Sequence, residues 1–121
     1  MADIVFRSNR KEFEGQMQRA IDIAMEAVAQ QAEGNAIREV TSLVYDTPPS
    51  PTYIRTGDLR KSIAHEYVKE ELAAYVGSSI YYAPYVEFGT RNMTERPFLR
   101  NAVQNYTDEY KRILEDGLSN L

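Results

Sequence analysis

Three places in this sequence carry side chains that could do chemistry. The first is the single histidine, His65, which lies in an alternating stretch between Ile63 and Tyr67. General acid–base catalysis needs such a group beside a partner that tunes it, or two carboxylates with separated pKa values. No serine–histidine–aspartate set can be argued around His65, so it reads as a structural or surface histidine. The second is the carboxylate pair Glu70-Glu71, which falls in a predicted turn and reads as solvated charge. The six glycines are scattered at turns and helix ends, so no loop is built to cradle a phosphate. With no cysteine and one histidine, disulfides, thiolate catalysis and multi-histidine zinc sites are excluded. No catalytic, cofactor-binding or metal-binding residue is predicted, and the chain reads as no enzyme.

The third place is the segment 81–100. Tyr81, Tyr82, Tyr85, Phe88 and Phe98 crowd together there, with Arg91, Arg96 and Arg100 interleaved. Tyrosine and arginine are enriched at interface hot spots because each combines contact area with hydrogen bonding. The segment therefore reads as a contact surface for a subunit or partner, with Tyr82, Pro84, Tyr85, Glu87, Arg91, Arg96, Phe98 and Arg100 as its candidate residues. The bland alternative is that Tyr82, Val86, Phe88 and Phe98 pack a core. Aromatics among arginines could also stack on single-stranded nucleic acid. The formal net charge of −4 argues against that, because such binding rests on paired phosphates.

These residues need a frame. The chain has 121 residues and 43% hydrophobic composition, which suits a single domain over 1–121 with an ordinary core. No apolar run approaches the ~20 residues of a membrane span, and the first residues lack a signal-peptide apolar region. The expectation is a protein of a reducing compartment, with no membrane partner.

Asp3-Ile4-Val5-Phe6 reads as a short strand or arm, followed by Ser8 or Asn9 as a helix N-cap. From there to about Tyr45 apolar residues recur in helical steps: Phe13, Met17, Ile21, Ala24, Val28, Ala32, Ala36, Val40 and Leu43. The opposite face, including Asp22, Glu26 and Glu33, is predicted to be polar. Such a helix is longer than its domain is wide, so it either breaks, with Gly34-Asn35 the weak point, or projects towards another subunit. Three prolines between Thr47 and Thr52 stop it in an extended loop over 47–55, inside the domain. A helical turn is expected at 58–62, then strands over 62–68 and 72–78 joined as a hairpin by Lys69-Glu70-Glu71. Pro84 and Gly89 bracket a short helix at 83–88, and a last helix runs from Pro97 to Gly117. The fold class is α+β: a long N-terminal helix and a C-terminal helix packed on a small antiparallel sheet. Open sheet edges are a second hint of assembly.

Two motifs carry a resemblance. Tyr82-Ala83-Pro84-Tyr85-Val86-Glu87-Phe88-Gly89-Thr90, followed by Arg96-Pro97-Phe98-Leu99-Arg100-Asn101-Ala102-Val103, resembles the hallmark of small tail-completion, or head–tail joining, proteins of long-tailed phages and prophages. Upstream, Thr56-Gly57-Asp58-Leu59-Arg60-Lys61-Ser62-Ile63 resembles the element those proteins place after a proline and an alanine-rich helix. Pro48–Arg55 departs from the pattern as an insert before that element. The resemblance implies a structural virion protein of the phage neck. It implies a homo-oligomer, a hexameric ring, between a head connector or head-closure protein and the tail tube or tail terminator protein. DNA would pass through the lumen without specific binding, and assembly would occur in the bacterial host cytoplasm. A tail terminator or minor tail protein, and a small nucleic-acid-binding or toxin-like regulator, are the alternative readings.

Overall fold

The structure, a computed structural model, describes residues 2–45, 57–91 and 94–119. The expected proline-rich loop at 47–55 and Thr56 lie outside the described residues. Helix α1 covers Ala2–Val40 and runs on into a π-helical turn at Thr41–Tyr45. A single helical turn, α2 (Asp58–Lys61), precedes strand β1 (Ile63–Val68). A 3-10 turn at Lys69–Glu71 leads to strand β2 (Ala73–Ser78). Three helices follow: α3 (Ala83–Phe88), α4 (Phe98–Gln104) and α5 (Thr107–Leu118). The fold is α+β, with α1 packed on one side by the hairpin and on the other by α4 and α5.

Four expectations about the helices are corrected. Residues 3–6 are helical, not a strand, and Ser8 and Asn9 lie inside α1 rather than capping it. A short apolar run cannot tell strand from helix, and each residue added to an existing helix gains a hydrogen bond without a new nucleus. The helix predicted from Pro97 to Gly117 is two helices, separated at Asn105-Tyr106. The Thr107 hydroxyl donates to the Gln104 carbonyl at 2.8 Å across this break. Gly117 does not end α5 but sits within it, against α1. A Cβ at Gly117 would lie 2.8 Å from Ala24 Cβ, so only glycine lets the helices approach this closely.

The long helix does not break at Gly34. At 39 residues it is about 58 Å long. Gly34 is exposed and a Cβ there would meet nothing within 4 Å. Gly34→Ala should therefore raise stability by about 0.5–1 kcal/mol by lowering the cost of ordering the helix. An unchanged or lower urea midpoint would contradict a continuous helix in solution.

The core side of α1 is small: Ala24, Ala29, Ala32, Ala36 and Val40 are buried. Alanines let neighbouring elements come close, and tyrosine hydroxyls then reach across to polar groups of α1. Tyr67 donates to Asp22 at 2.8 Å and Tyr106 to Glu39 at 2.8 Å. Asn35, fully buried, donates to the Tyr110 hydroxyl at 3.0 Å, which in turn donates to the Ala102 carbonyl. The predicted apolar stripe is right from Ala24 onwards, but Phe13 and Met17 remain exposed.

The hairpin register pairs Ile63 with Ser78 through to Val68 with Ala73. Ile63, His65 and Tyr67 share the face that meets α1, as their alternation predicts. The Thr-Gly-x-Leu-x-x-Ser-Ile element explains itself locally. Gly57 takes φ 85, a left-handed value that favours glycine, and Leu59 and Ile63 enter the core. The Ser62 hydroxyl donates to the Leu59 carbonyl at 2.6 Å and lies 2.5 Å from the Ser78 hydroxyl, tying the turn to β2.

Candidate functional site

His65 is placed between two acids of α1. Its Nε2 is 2.8 Å from Glu26 Oε1, and Nδ1 is 3.3 Å from Glu33 Oε1 in a charge contact outside hydrogen-bond geometry. Asp22 accepts from Tyr67 and pairs with Lys69 at 3.4 Å. Burial, helped by Asp22, pushes the Tyr67 hydroxyl up to about 12. The face of α1 predicted to be solvated is thus partly turned to the hairpin, because α1 is covered from two directions. Among the described residues no group of three or more His, Cys, Asp or Glu side chains could hold a metal ion.

The hydrogen bond to Glu26 holds the His65 pKa above its ordinary value against the opposing effect of burial, with Glu33 adding to it. A raised folded-state pKa contributes stability that is fully present below about 6.5 and is lost as pH rises through the folded value. Wild type should therefore lose stability relative to His65→Gln as pH is taken from about 6 to about 8.5. Melting temperatures of the two proteins, measured across that window, check it. A constant difference would mean His65 stays neutral in the fold.

The segment 81–100 forms a clasp. Pro84 stands in the first turn of α3, and Gly89 ends it at φ 79. Ala83, Val86, Phe98 and Ala102 are buried in one cluster with Val40, Leu59 and Ile63. Glu87 is only 4% exposed and points at the start of α4. It accepts from the Leu99 and Arg100 backbone N–H groups, each at 2.9 Å, and from Arg100 Nε at 3.2 Å. Glu87 is thus an N-terminal cap supplied from another helix, satisfying donors that α4 leaves unpaired and meeting its positive end. Arg100 returns the contact, donating to the Glu87 carbonyl at 3.1 Å and to Glu95 at 3.0 Å. Its guanidinium also lies 5.4 Å from the Phe88 ring centre. The Arg96 N–H donates to the Val86 carbonyl at 2.8 Å, closing the loop between α3 and α4.

The candidate contact residues therefore divide. Phe98 is fully buried and Glu87 nearly so, and both act on the fold from inside. Arg100 is shared between clasp and surface, with 41% of its side chain exposed. Tyr82 and Arg96 are half-buried, and Tyr82 packs edge-on against Tyr81. Pro84, Tyr85 and Arg91 are exposed. The residues that sequence reasoning missed are Phe88 and Val103, at 67% and 53% exposure. They flank an open groove of about 430 Å³ between α3 and α4, lined also by Pro84, Leu99 and Arg100. Of the two roles the sequence leaves open for Phe88, core packing is not the one it takes; it lies outside because Val86, two residues earlier on the helix, takes the inward position.

The clasp holds two exposed aromatic side chains, Tyr85 and Phe88, on a helical frame. The chain belongs to the HK97-gp10-like family: the family model described as "Bacteriophage HK97-gp10, putative tail-component" matches residues 5–89. It is thus a phage tail-component protein, one that meets other virion proteins. No curated protein and no solved structure matches the chain. Among the described residues no helix is long and apolar enough to cross a membrane.

Proposed function

We propose that this chain is a structural, non-enzymatic protein of the phage neck that completes the tail by joining the head connector to the tail tube. The observation that carries the reading is the coincidence of family membership over 5–89 with a folded clasp at 82–103 that presents Pro84, Tyr85, Phe88 and Arg91 outwards. Large exposed apolar side chains on a small acidic chain are unfavourable in water unless something covers them. A homo-oligomeric ring, hexameric in this reading, covers them by heterologous contacts, in which one face of each subunit meets a different face of the next. Its neighbours are a head connector or head-closure protein on one side and a tail tube or tail terminator protein on the other. A net charge of −4 suits a lumen that lets DNA pass without holding it. Assembly takes place in the host cytoplasm, and the protein leaves in the virion.

Gold-labelled antibody against the chain, imaged on whole virions, tests the placement. Label at the head–tail junction supports it. Label along the tail or at its far tip would move the chain to the minor tail proteins.

A further inference from the structure

The two ends of the hairpin are held differently. At one end Ile63 is buried in the cluster with Val40, Leu59 and Val86, and the Ser62 hydroxyl meets that of Ser78 at 2.5 Å. From Ala64 to Ser78 no residue is buried. Past Ile63, β1 reaches α1 through polar contacts. His65 lies against Glu26 and Glu33, Tyr67 donates to Asp22, and Lys69 pairs with the same carboxylate. Asp22, Glu26 and Glu33 are spaced by four and seven residues, which sets them on one face of α1. Beside Tyr67 and Lys69 an open groove of about 580 Å³, lined also by Ile23 and Ala27, runs between hairpin and helix. This end of the hairpin is tied to α1 without being packed into it.

Among these ties His65 is the one whose charge depends on pH near neutrality. A neutral imidazole has one N–H and one lone pair. Here both nitrogens face carboxylate oxygens: Nε2 lies 2.8 Å from Glu26, and Nδ1, closed off from solvent, lies 3.3 Å from Glu33. A lone pair on either nitrogen would oppose a carboxylate, so the arrangement suits the imidazolium, which carries a proton on each. From this geometry we infer that His65 is a proton-operated latch: the imidazolium holds the hairpin on α1, and loss of its proton lets the hairpin swing out about Ile63 while the rest of the chain stays folded. The charged groups that face the ring are Glu26 and Glu33 of α1; across the ladder β2 places Val76, which carries none, and Glu66 is on the opposite face of β1. The hydrogen bond to Glu26, with Glu33 adding to it, holds the ring's pKa above its ordinary value against burial. The latch is therefore closed below that raised value and opens as pH rises through it. Tyr67 keeps its proton meanwhile, its hydroxyl being pushed up to about 12. On the α5 side of α1 there is no histidine, and burial raises the pKa of Tyr106 and Tyr110, so those ties hold. The loss of stability predicted for the His65 proton thereby falls on one element.

The chain has no cysteine and one histidine, so two introduced cysteines carry the only spin labels and every imidazole signal belongs to His65. Gly34→Cys and Leu72→Cys place the labels on α1 and at the hairpin tip; Leu72 is 56% exposed, and a Cβ at Gly34 meets nothing within 4 Å. The label separation is measured by double electron–electron resonance from about pH 6 upwards until the ring, followed by nitrogen NMR, has lost its proton. Circular dichroism is recorded at each pH. The expected result is a narrow separation at the lowest pH that lengthens and broadens as the ring titrates, with helical circular dichroism unchanged. In the same labelled chain carrying His65→Gln, the separation is expected to be the same at every pH. An equal shift in His65→Gln would overturn the latch by assigning the opening to another group. A ring that titrates with no change in separation would overturn it, as would a ring already neutral at pH 6. Loss of circular dichroism in step with the separation would overturn local opening in favour of unfolding of the whole chain. None of these outcomes bears on the neck reading, which rests on other residues.

Discussion

Glu87→Ala is expected to destabilise the protein by about 2–4 kcal/mol, measured as a lowered urea midpoint with the slope of the transition kept. The substitution removes the acceptor for two backbone N–H groups at the start of α4 and for Arg100 Nε. An unsatisfied buried donor costs about 1–3 kcal/mol. The Arg100 part is discounted because 41% of that side chain is exposed and water can take over. Arg100→Ala should accordingly cost less, about 1 kcal/mol, since Glu87 keeps its backbone donors. Glu87→Gln keeps one acceptor oxygen and should fall between the two. If Arg100→Ala proved as costly as Glu87→Ala, the ion pair, and not the helix cap, would be holding the clasp. On the contact reading proposed above, the same variants bear on function, because this joint holds α3, which carries Tyr85 and Phe88.

The second large effect is Phe98→Ala, expected to cost about 3–5 kcal/mol. Phe98 is fully exposed to no solvent at all, at 0%, and joins Val86, Leu59, Ile63 and Ala102 in one cluster. Around it many core positions are alanine, which offer few atoms to collapse into the space left behind. A domain of this size has about 5–15 kcal/mol in total, so the variant should melt far lower or fail to fold cooperatively. Phe98→Leu, which keeps most of the volume, should cost about 1–1.5 kcal/mol. Equal losses for the two would mean that the aromatic ring itself, and not filled volume, matters at this position.

Much of this frame could be read from residue types. Pro84 and Gly89 mark the ends of α3, the alternation of Ile63, His65 and Tyr67 marks the face β1 turns to α1, and Gly57 marks a left-handed turn. What escaped has a common cause: it depends on which element covers which. Phe13 and Met17 sit on the same stripe as Ala24, and nothing in the spacing says that α5 stops short of them. Asp22, Glu26 and Glu33 look like a solvated face until the hairpin lies over them. Gly34 looks like a break because its cost is local, whereas packing along the rest of α1 outweighs it. Glu87 stands among the candidate contact residues, and the thirteen-residue separation from Arg100 gives no sign that its partner is the start of the next helix. The tyrosines divide in the same way. Tyr81 and Tyr85 face outwards, whereas Tyr67, Tyr106 and Tyr110 spend their hydroxyls bracing an alanine-rich helix.

The neck reading is tested most directly by removing the chain from a phage that encodes it and counting particles by electron microscopy. The expected result is DNA-filled heads and complete tails that stay separate, with joining restored when purified protein is added. Normal numbers of joined virions without the chain, or heads lacking any assembled tails, would contradict it.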